Sequence, residues 1–174
     1  MSDTEKSSRS GASMARVRQA LRERGFADDG VQELPASTRT AVDAARAVGC
    51  EVAQIVKSLV FMAAHSQRPV LVVASGVNRV DEDHIGTLLG EPITRASPEF
   101  VRQRTGFAIG GVAPVGHLTS PVVFIDRDLL GYSTLWAAAG TPRAVFSLTP
   151  TDLQRLTGGA LVAVAGDARV RDDK

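Results

Sequence analysis

The sequence is short of the residues that most often announce chemistry. A single cysteine, Cys50, excludes an internal disulfide, and three histidines at 65, 84 and 117 stand too far apart for metal-ligand spacing. No metal and no cofactor is therefore expected. No apolar run approaches the ~20 residues needed to span a bilayer, and the N-terminus lacks the basic-then-apolar pattern of a signal peptide, so the expected place is the cytoplasm, without membrane contact. A net charge of +1 gives no global basic field, so a nucleic-acid partner would be held by few contacts. Lysine is the scarcest charge: of the 20 basic residues only Lys6, Lys57 and Lys174 are lysines, and two of these lie in the terminal tails. A chain that otherwise uses arginine for positive charge has one internal site for a compact, tunable ammonium.

What is present is ordinary globular composition, 44% hydrophobic and 22% charged, in 174 residues, enough for one domain with a real core. Residues 1–13, MSDTEKSSRSGAS, are polar and serine-rich and read as a disordered tail before a single domain over 14–170. The spacing predicts a helix from Met14 to Gly25 with its arginines on a solvated face. A second helix runs from a cap at Ser37 or Thr38 to Gly49, and strands cover 54–61 and 69–74. Asp81 caps a short helix through Leu89, a brief strand covers 92–95, and Ser97-Pro98-Glu99 opens a helix that Gly106 ends. Strands at 121–126, 133–140 and 143–148 follow, then a helix opened by Thr149 or Thr151, and a last strand at 160–166. Early elements alternate as in crossovers and later strands succeed one another as in hairpins. The fold class is α+β, a mixed sheet or partly closed barrel with helices packed outside.

Two segments stand out. In QIVKSLVF, residues 54–61, strand alternation puts Lys57 on one face with Ile55, Leu59 and Phe61, and Val56, Ser58, Val60 and Met62 on the other. Both faces are apolar, which suits an inner strand, where an unpartnered ammonium is costly. The residues leave two readings open: Lys57 snorkels to the rim or pairs with an internal carboxylate, or it faces a ligand that needs it. The second segment, AIGGVAPVGH at 108–117, breaks apolar residues with three glycines and a proline between a helix and a strand. It is neither a Walker loop nor a GxGxxG turn, and its bare backbone allows successive N–H groups to converge on a carbonyl oxygen or phosphate.

Together with the Ala-Ser-Pro-Glu helix start at 96–99, Thr105-Gly106, the strand 123–126, Ala139-Gly140 and LTPTDLQRLTG at 148–158, these segments resemble the YbaK/ProX family of aminoacyl-tRNA deacylases. That family is related to the editing domain inserted in bacterial prolyl-tRNA synthetases, and the likeness runs from about Thr40 to Ala165. The resemblance implies hydrolysis, without a metal, of the ester joining a wrongly attached amino acid to the tRNA 3′-terminal ribose. By matching motifs, Lys57 corresponds to the family's invariant lysine near the terminal adenosine and its phosphate. Residues 110–114 correspond to the Gly-x-x-x-Pro loop that positions the aminoacyl group, which brings Pro114 into the substrate-binding set.

Ester hydrolysis builds negative charge on the carbonyl oxygen, and preorganised backbone donors or a nearby cation stabilise it. On that chemistry Gly110 and Gly111 are expected to serve as oxyanion donors, with Lys57 binding the terminal nucleotide and biasing the local field. Phe61, Val112 and Ala113 are expected to line the pocket, and Gly116 and His117, at the end of the loop, to contact substrate. A turn histidine bonded to the backbone is the equal alternative for His117. No Ser-His-Asp set is visible, so water or a group of the substrate is the expected nucleophile. Cys50 reads as a small buried hydrophobe, His65 and His84 as surface residues, and Asp126 as a cap. Arg95, Arg102, Arg104 and Arg143 are a solvated surface or a phosphate-binding rim.

The chain carries no synthetase catalytic domain, so the expected activity is trans-editing of tRNA charged with a small amino acid, with the tRNA acceptor end as partner and at most a transient complex with prolyl-tRNA synthetase. The rivals are a non-catalytic aminoacyl- or tRNA-binding module and an esterase acting on aminoacyl adenylates or small aminoacyl esters.

Overall fold

A computed structural model describes residues 2–38 and 40–166; the far end of the expected 14–170 domain and Lys174 lie outside the described residues. Eight strands form one mixed sheet: β1 (Gln32–Glu33), β2 (Ile55–Ala63), β3 (Pro69–Ser75), β4 (Ile93–Arg95), β5 (Val122–Asp126), β6 (Leu135–Ala138), β7 (Ala144–Leu148) and β8 (Ala160–Val162). They lie in the order β1-β7-β6-β2-β3-β5-β8, with β4 pairing β2 as well. Of the two forms the sequence left open, the molecule has the mixed sheet, and the sheet does not close into a barrel. Antiparallel hairpins join β2 to β3 and β6 to β7, while β2–β6, β3–β5 and β5–β8 run parallel.

Strand β3 is buried throughout and its alternation feeds two cores. Leu71 and Val73 join Val56, Phe107, Ile125 and Leu153 on one face, and Val70, Val72 and Ala74 join Phe61, Ile85 and Phe124 on the other. The helices that cover these faces begin and end as their residues dictate. Asp81 accepts from the His84 N–H to start α3 (Glu82–Leu89), Ser97 from Phe100 to start α4 (Pro98–Thr105), and Thr149 from Asp152 to start α5 (Pro150–Thr157). Helix α2 (Ala41–Val48) is capped by Thr40, two residues beyond the sequence expectation, and stops at Gly49, whose φ of 77° is left-handed.

Helix α1 (Asp3–Glu23) is the main correction to the sequence reading. Residues 1–13 were expected to be a disordered tail, yet the helix begins at Asp3, because Ser2 and Glu5 form a reciprocal capping box. Residues 2–12 are exposed along it, and its packed part begins near Met14, with Val17, Ala20 and Leu21 in the core.

Candidate functional site

The outer edge of β2 is covered by two different strands. Its start, Ile55 and Val56, pairs with β6, and its end, Phe61 to Ala63, pairs with β4, which leaves a gap beside the residues between. Ala64 donates its N–H to Pro92 O, whereas Ala63 donates to Arg68 O and Ile55 O accepts from Gly76, so even-numbered residues turn their main-chain groups toward the β4 and β6 side. The N–H and C=O of Ser58 therefore open into the gap with no strand partner.

A cavity of roughly 640 Å³ fills this gap, within the range of small-molecule sites. Both faces of β2 border it. On one side stand Lys57, Leu59 and Phe61 with Arg79 and Glu82, and on the other Val56, Ser58 and Val60 with Val101, Val112 and Ala137. Gly110 also borders it. The structure thus brings Lys57, Phe61, Gly110 and Val112 around one space, although Lys57 and Gly110 are 53 residues apart in sequence.

Lys57 is half-buried and donates one hydrogen bond, from Nζ to Asn78 O at 2.6 Å. Among the described residues it forms no ion pair; the three present are Arg22–Asp28, Arg68–Glu91 and Arg155–Asp152. Burial lowers its pKa from the ordinary value of 10.5, and the negative charge of Asp126 opposes that shift. Asp126 is 1% exposed and fully engaged. Its carboxylate accepts from the Ser75 N–H at 2.9 Å, from Asn78 Nδ2 at 2.8 Å and from the Asp128 N–H at 3.0 Å. Asp126 is thus a cap, as the sequence suggested, and it also fixes Asn78, whose carbonyl orients the lysine. An ammonium has three donors, so Lys57 keeps two for the cavity.

The glycine loop divides into a front and a back. At the front, Gly110 is exposed with φ of 91°, a conformation that favours glycine, and a Cβ there would meet nothing nearer than Pro142 Cγ at 3.8 Å. Gly111 is required for a different reason, since a Cβ on it would stand 2.7 Å from Thr141 Cα. Its N–H donates to Ala108 O at 3.0 Å and is therefore not free to act as an oxyanion donor. The N–H groups of Gly110 and Val112 have no hydrogen-bond acceptor among the described residues.

The back of the loop is packed. Ala113 and Pro114 are buried rather than lining the cavity, and Gly116 and His117 border a second cavity of roughly 330 Å³, with Arg16 and Glu23 of α1. Gly116 and His117, expected to contact substrate, thus lie on the α1 side of the loop and not among the residues that border the Lys57 cavity. His117 Nε2 lies 2.6 Å from Ala113 O, and the ring meets Phe107 edge-on at 5.6 Å. Because a carbonyl only accepts, Nε2 carries the proton, leaving Nδ1 a bare acceptor in the neutral ring. Burial first, and then the nearby Arg16 cation, lower the His117 pKa below 6.5, while the Ala113 bond opposes them. Arg16 itself donates to Gly106 O at 2.8 Å and stacks over Phe107 at 4.8 Å, so this arginine is no part of a solvated face.

Cys50 is partly buried outside the cavity lining, and burial together with Glu51 raises its pKa, which keeps the thiol protonated. Of the basic residues considered from sequence, Arg95 reaches the cavity, whereas Arg143 is held by Leu34 O and Pro35 O. Two residues escaped the sequence reading. Arg79 borders the cavity beside Lys57. Ser58, which the alternation places on the face opposite Lys57, also borders it, and its Oγ is buried with no hydrogen-bond partner among the described residues.

Comparison with known proteins follows the same lines. A solved protein described as a proposed trans-editing enzyme for prolyl tRNA synthetase is 52% identical, with a TM-score of 0.84 over 89% of this chain and 98% of that one. The uncharacterized protein YwhH of Bacillus subtilis (strain 168) is 32% identical over 130 residues, 75% of this chain and 82% of that protein. The proline–tRNA ligase of Limosilactobacillus fermentum is 32% identical over 96 residues, which are 53% of this chain and 17% of the ligase. The model of the aminoacyl-tRNA editing domain matches residues 35–156, a span that holds β2, its gap and the glycine loop, and the chain belongs to that family.

Proposed function

We propose that the protein hydrolyses the ester of a tRNA wrongly charged with a small amino acid, acting in trans, and that the terminal adenosine and its aminoacyl group occupy the gap beside β2. The observation that carries this reading is the shared cavity: a half-buried lysine with no carboxylate partner and a glycine loop with unpaired N–H groups border one space in a member of the editing family. The similarity to a proposed trans-editing enzyme and to part of a proline–tRNA ligase supports tRNA as substrate and prolyl-tRNA synthetase as a transient partner. Translation places the reaction in the cytoplasm.

Lys57, with two free donors beside Arg79, holds the phosphate and sugar of the terminal nucleotide. The N–H groups of Gly110 and Val112, in place of Gly111, stabilise the oxyanion. Water adds to the ester carbonyl carbon, the carbon–oxygen bond to the ribose breaks, and the ribose oxygen takes up a proton, releasing the amino acid and intact tRNA. This sequence of steps calls on no metal and no cofactor. Phe61 and Val112 border the space for the substrate.

The test is a deacylation panel: purified protein against one tRNA charged in turn with alanine, serine, threonine, cysteine and proline. Accelerated release from at least one small amino acid is expected. No acceleration for any would replace the hydrolase by a binding module, and equal turnover of aminoacyl esters lacking tRNA would replace it by a small-molecule esterase.

A further inference from the structure

Resting on that reading, we infer that Ser58 determines which amino acid the site accepts, by pairing its hydroxyl with a hydroxyl on the side chain of the aminoacyl group. Ser58 Oγ is buried and without a partner, although buried hydroxyls are nearly always hydrogen-bonded. It borders the cavity beside the apolar side chains of Val56, Val60, Val101, Val112 and Ala137. The main chain of Ser58 opens into the same gap, because the β6 pairing ends at Val56 and the β4 pairing starts at Phe61. Its C=O is free to accept from the substrate's α-ammonium while Oγ reaches the side chain.

The chemistry then selects. A hydroxyl both donates and accepts, and its natural complement is another hydroxyl. An alanyl side chain seated against this wall leaves Ser58 Oγ as it stands, buried and unpaired, whereas a seryl side chain satisfies it. The apolar neighbours exclude a charged side chain. The preferred cargo is therefore a small hydroxy amino acid, with serine ahead of alanine, and the nucleotide-facing residue next in sequence, Lys57, takes no part in the choice because it stands on the opposite face of β2.

The experiment measures kcat/KM for one tRNA charged with serine or with alanine, using the native protein, Ser58→Ala and Ser58→Thr. The native protein should favour the seryl ester by about tenfold, the value of one well-placed hydrogen bond. Ser58→Ala should bring the ratio near unity, and Ser58→Thr, which keeps the hydroxyl, should retain most of it. A native protein without seryl preference, or a ratio unmoved in Ser58→Ala, would overturn the assignment and leave the hydrolase standing. Binding of the non-hydrolysable 3′-seryl and 3′-alanyl amides of 3′-amino-3′-deoxyadenosine, by calorimetry, separates the two ideas. Seryl preference in binding that Ser58→Ala abolishes, without turnover of any ester, would uphold Ser58 and sink the hydrolase. Equal binding of the two amides would sink the role of Ser58.

Discussion

The front and the back of the glycine loop differ in how tightly they are packed: Gly110 is exposed, whereas Ala113 and Pro114 are buried. At the front, Gly110 and Val112 border the cavity that Lys57 also borders, and their N–H groups have no acceptor among the described residues. Between them Gly111 donates to Ala108 O, and at the back His117 Nε2 holds Ala113 O and Arg16 holds Gly106 O, while His117 Nδ1 and Arg16 Nε are buried without a partner among the described residues. The bonds made at the back hold the loop in place behind the exposed front. The same chain of ten residues thus carries a working surface and its own foundation. Substitutions should separate the two, activity without stability at the front and both together at the back.

Lys57→Ala is the sharpest test of the front. Its one hydrogen bond among the described residues is to a carbonyl, so melting should stay within about 2 °C of native while kcat/KM falls about 10²–10³-fold, as for loss of one preorganised electrostatic group. Lys57→Arg should restore little, because the planar guanidinium does not fit where a compact ammonium sits. Full activity of Lys57→Ala would remove the lysine from the site. Gly111→Ala tests the foundation: a Cβ 2.7 Å from Thr141 Cα forces backbone apart, and about 1–3 kcal/mol of stability should be lost with a parallel fall in activity, read by denaturant melts and by turnover. Gly110→Ala should differ in kind. Its Cβ has room, so only the left-handed backbone is penalised, by about 1–2 kcal/mol of stability, and turnover should fall by more than that loss accounts for, through a displaced N–H. Equal behaviour of the two glycine variants would erase the distinction between front and back.

His117 gives the smallest effect and a pH signature. Its folded pKa lies below 6.5, so the fold favours the neutral ring and the unfolded chain binds the proton more readily. That contribution is complete above about pH 6.5 and is lost as the pH falls through the lowered folded value. Thermal melts from pH 8 to pH 5 should show this decline, and His117→Asn should lack this component of it. An unchanged profile in His117→Asn would mean that the histidine does not hold the loop.

Much of the fold was legible because its signals are local. Asp81, Ser97 and Thr149 cap their helices, Gly49 and Gly106 end theirs, and the alternation in β2 and β3 sorts their side chains between two cores. The start of α1 was missed because serine and glutamate in a polar segment read equally as disorder until Ser2 and Glu5 are seen to cap each other. The cavity was half legible. Lys57 and the glycine loop announced themselves by composition, but the gap between β4 and β6 depends on pairings between distant segments that no local pattern encodes. Parity turned Ser58 from Lys57, as the structure shows, and only a gap at the strand's edge lets both faces border one space. The rotation of His117 away from the cavity likewise follows from α1, whose packing on the loop is a long-range contact.

The divided edge of β2 also orders events in time. As the chain leaves the ribosome, β3 and then β4 can join β2 soon after it appears, but β6, the other wall of the gap, begins only at Leu135. Until then Lys57 and Ser58 border open solvent, with nothing to grip. On the proposed reading, competence to bind is a late property, acquired with β6, and a nascent or truncated chain holding every residue from Lys57 to Val112 would still lack one wall of the cavity.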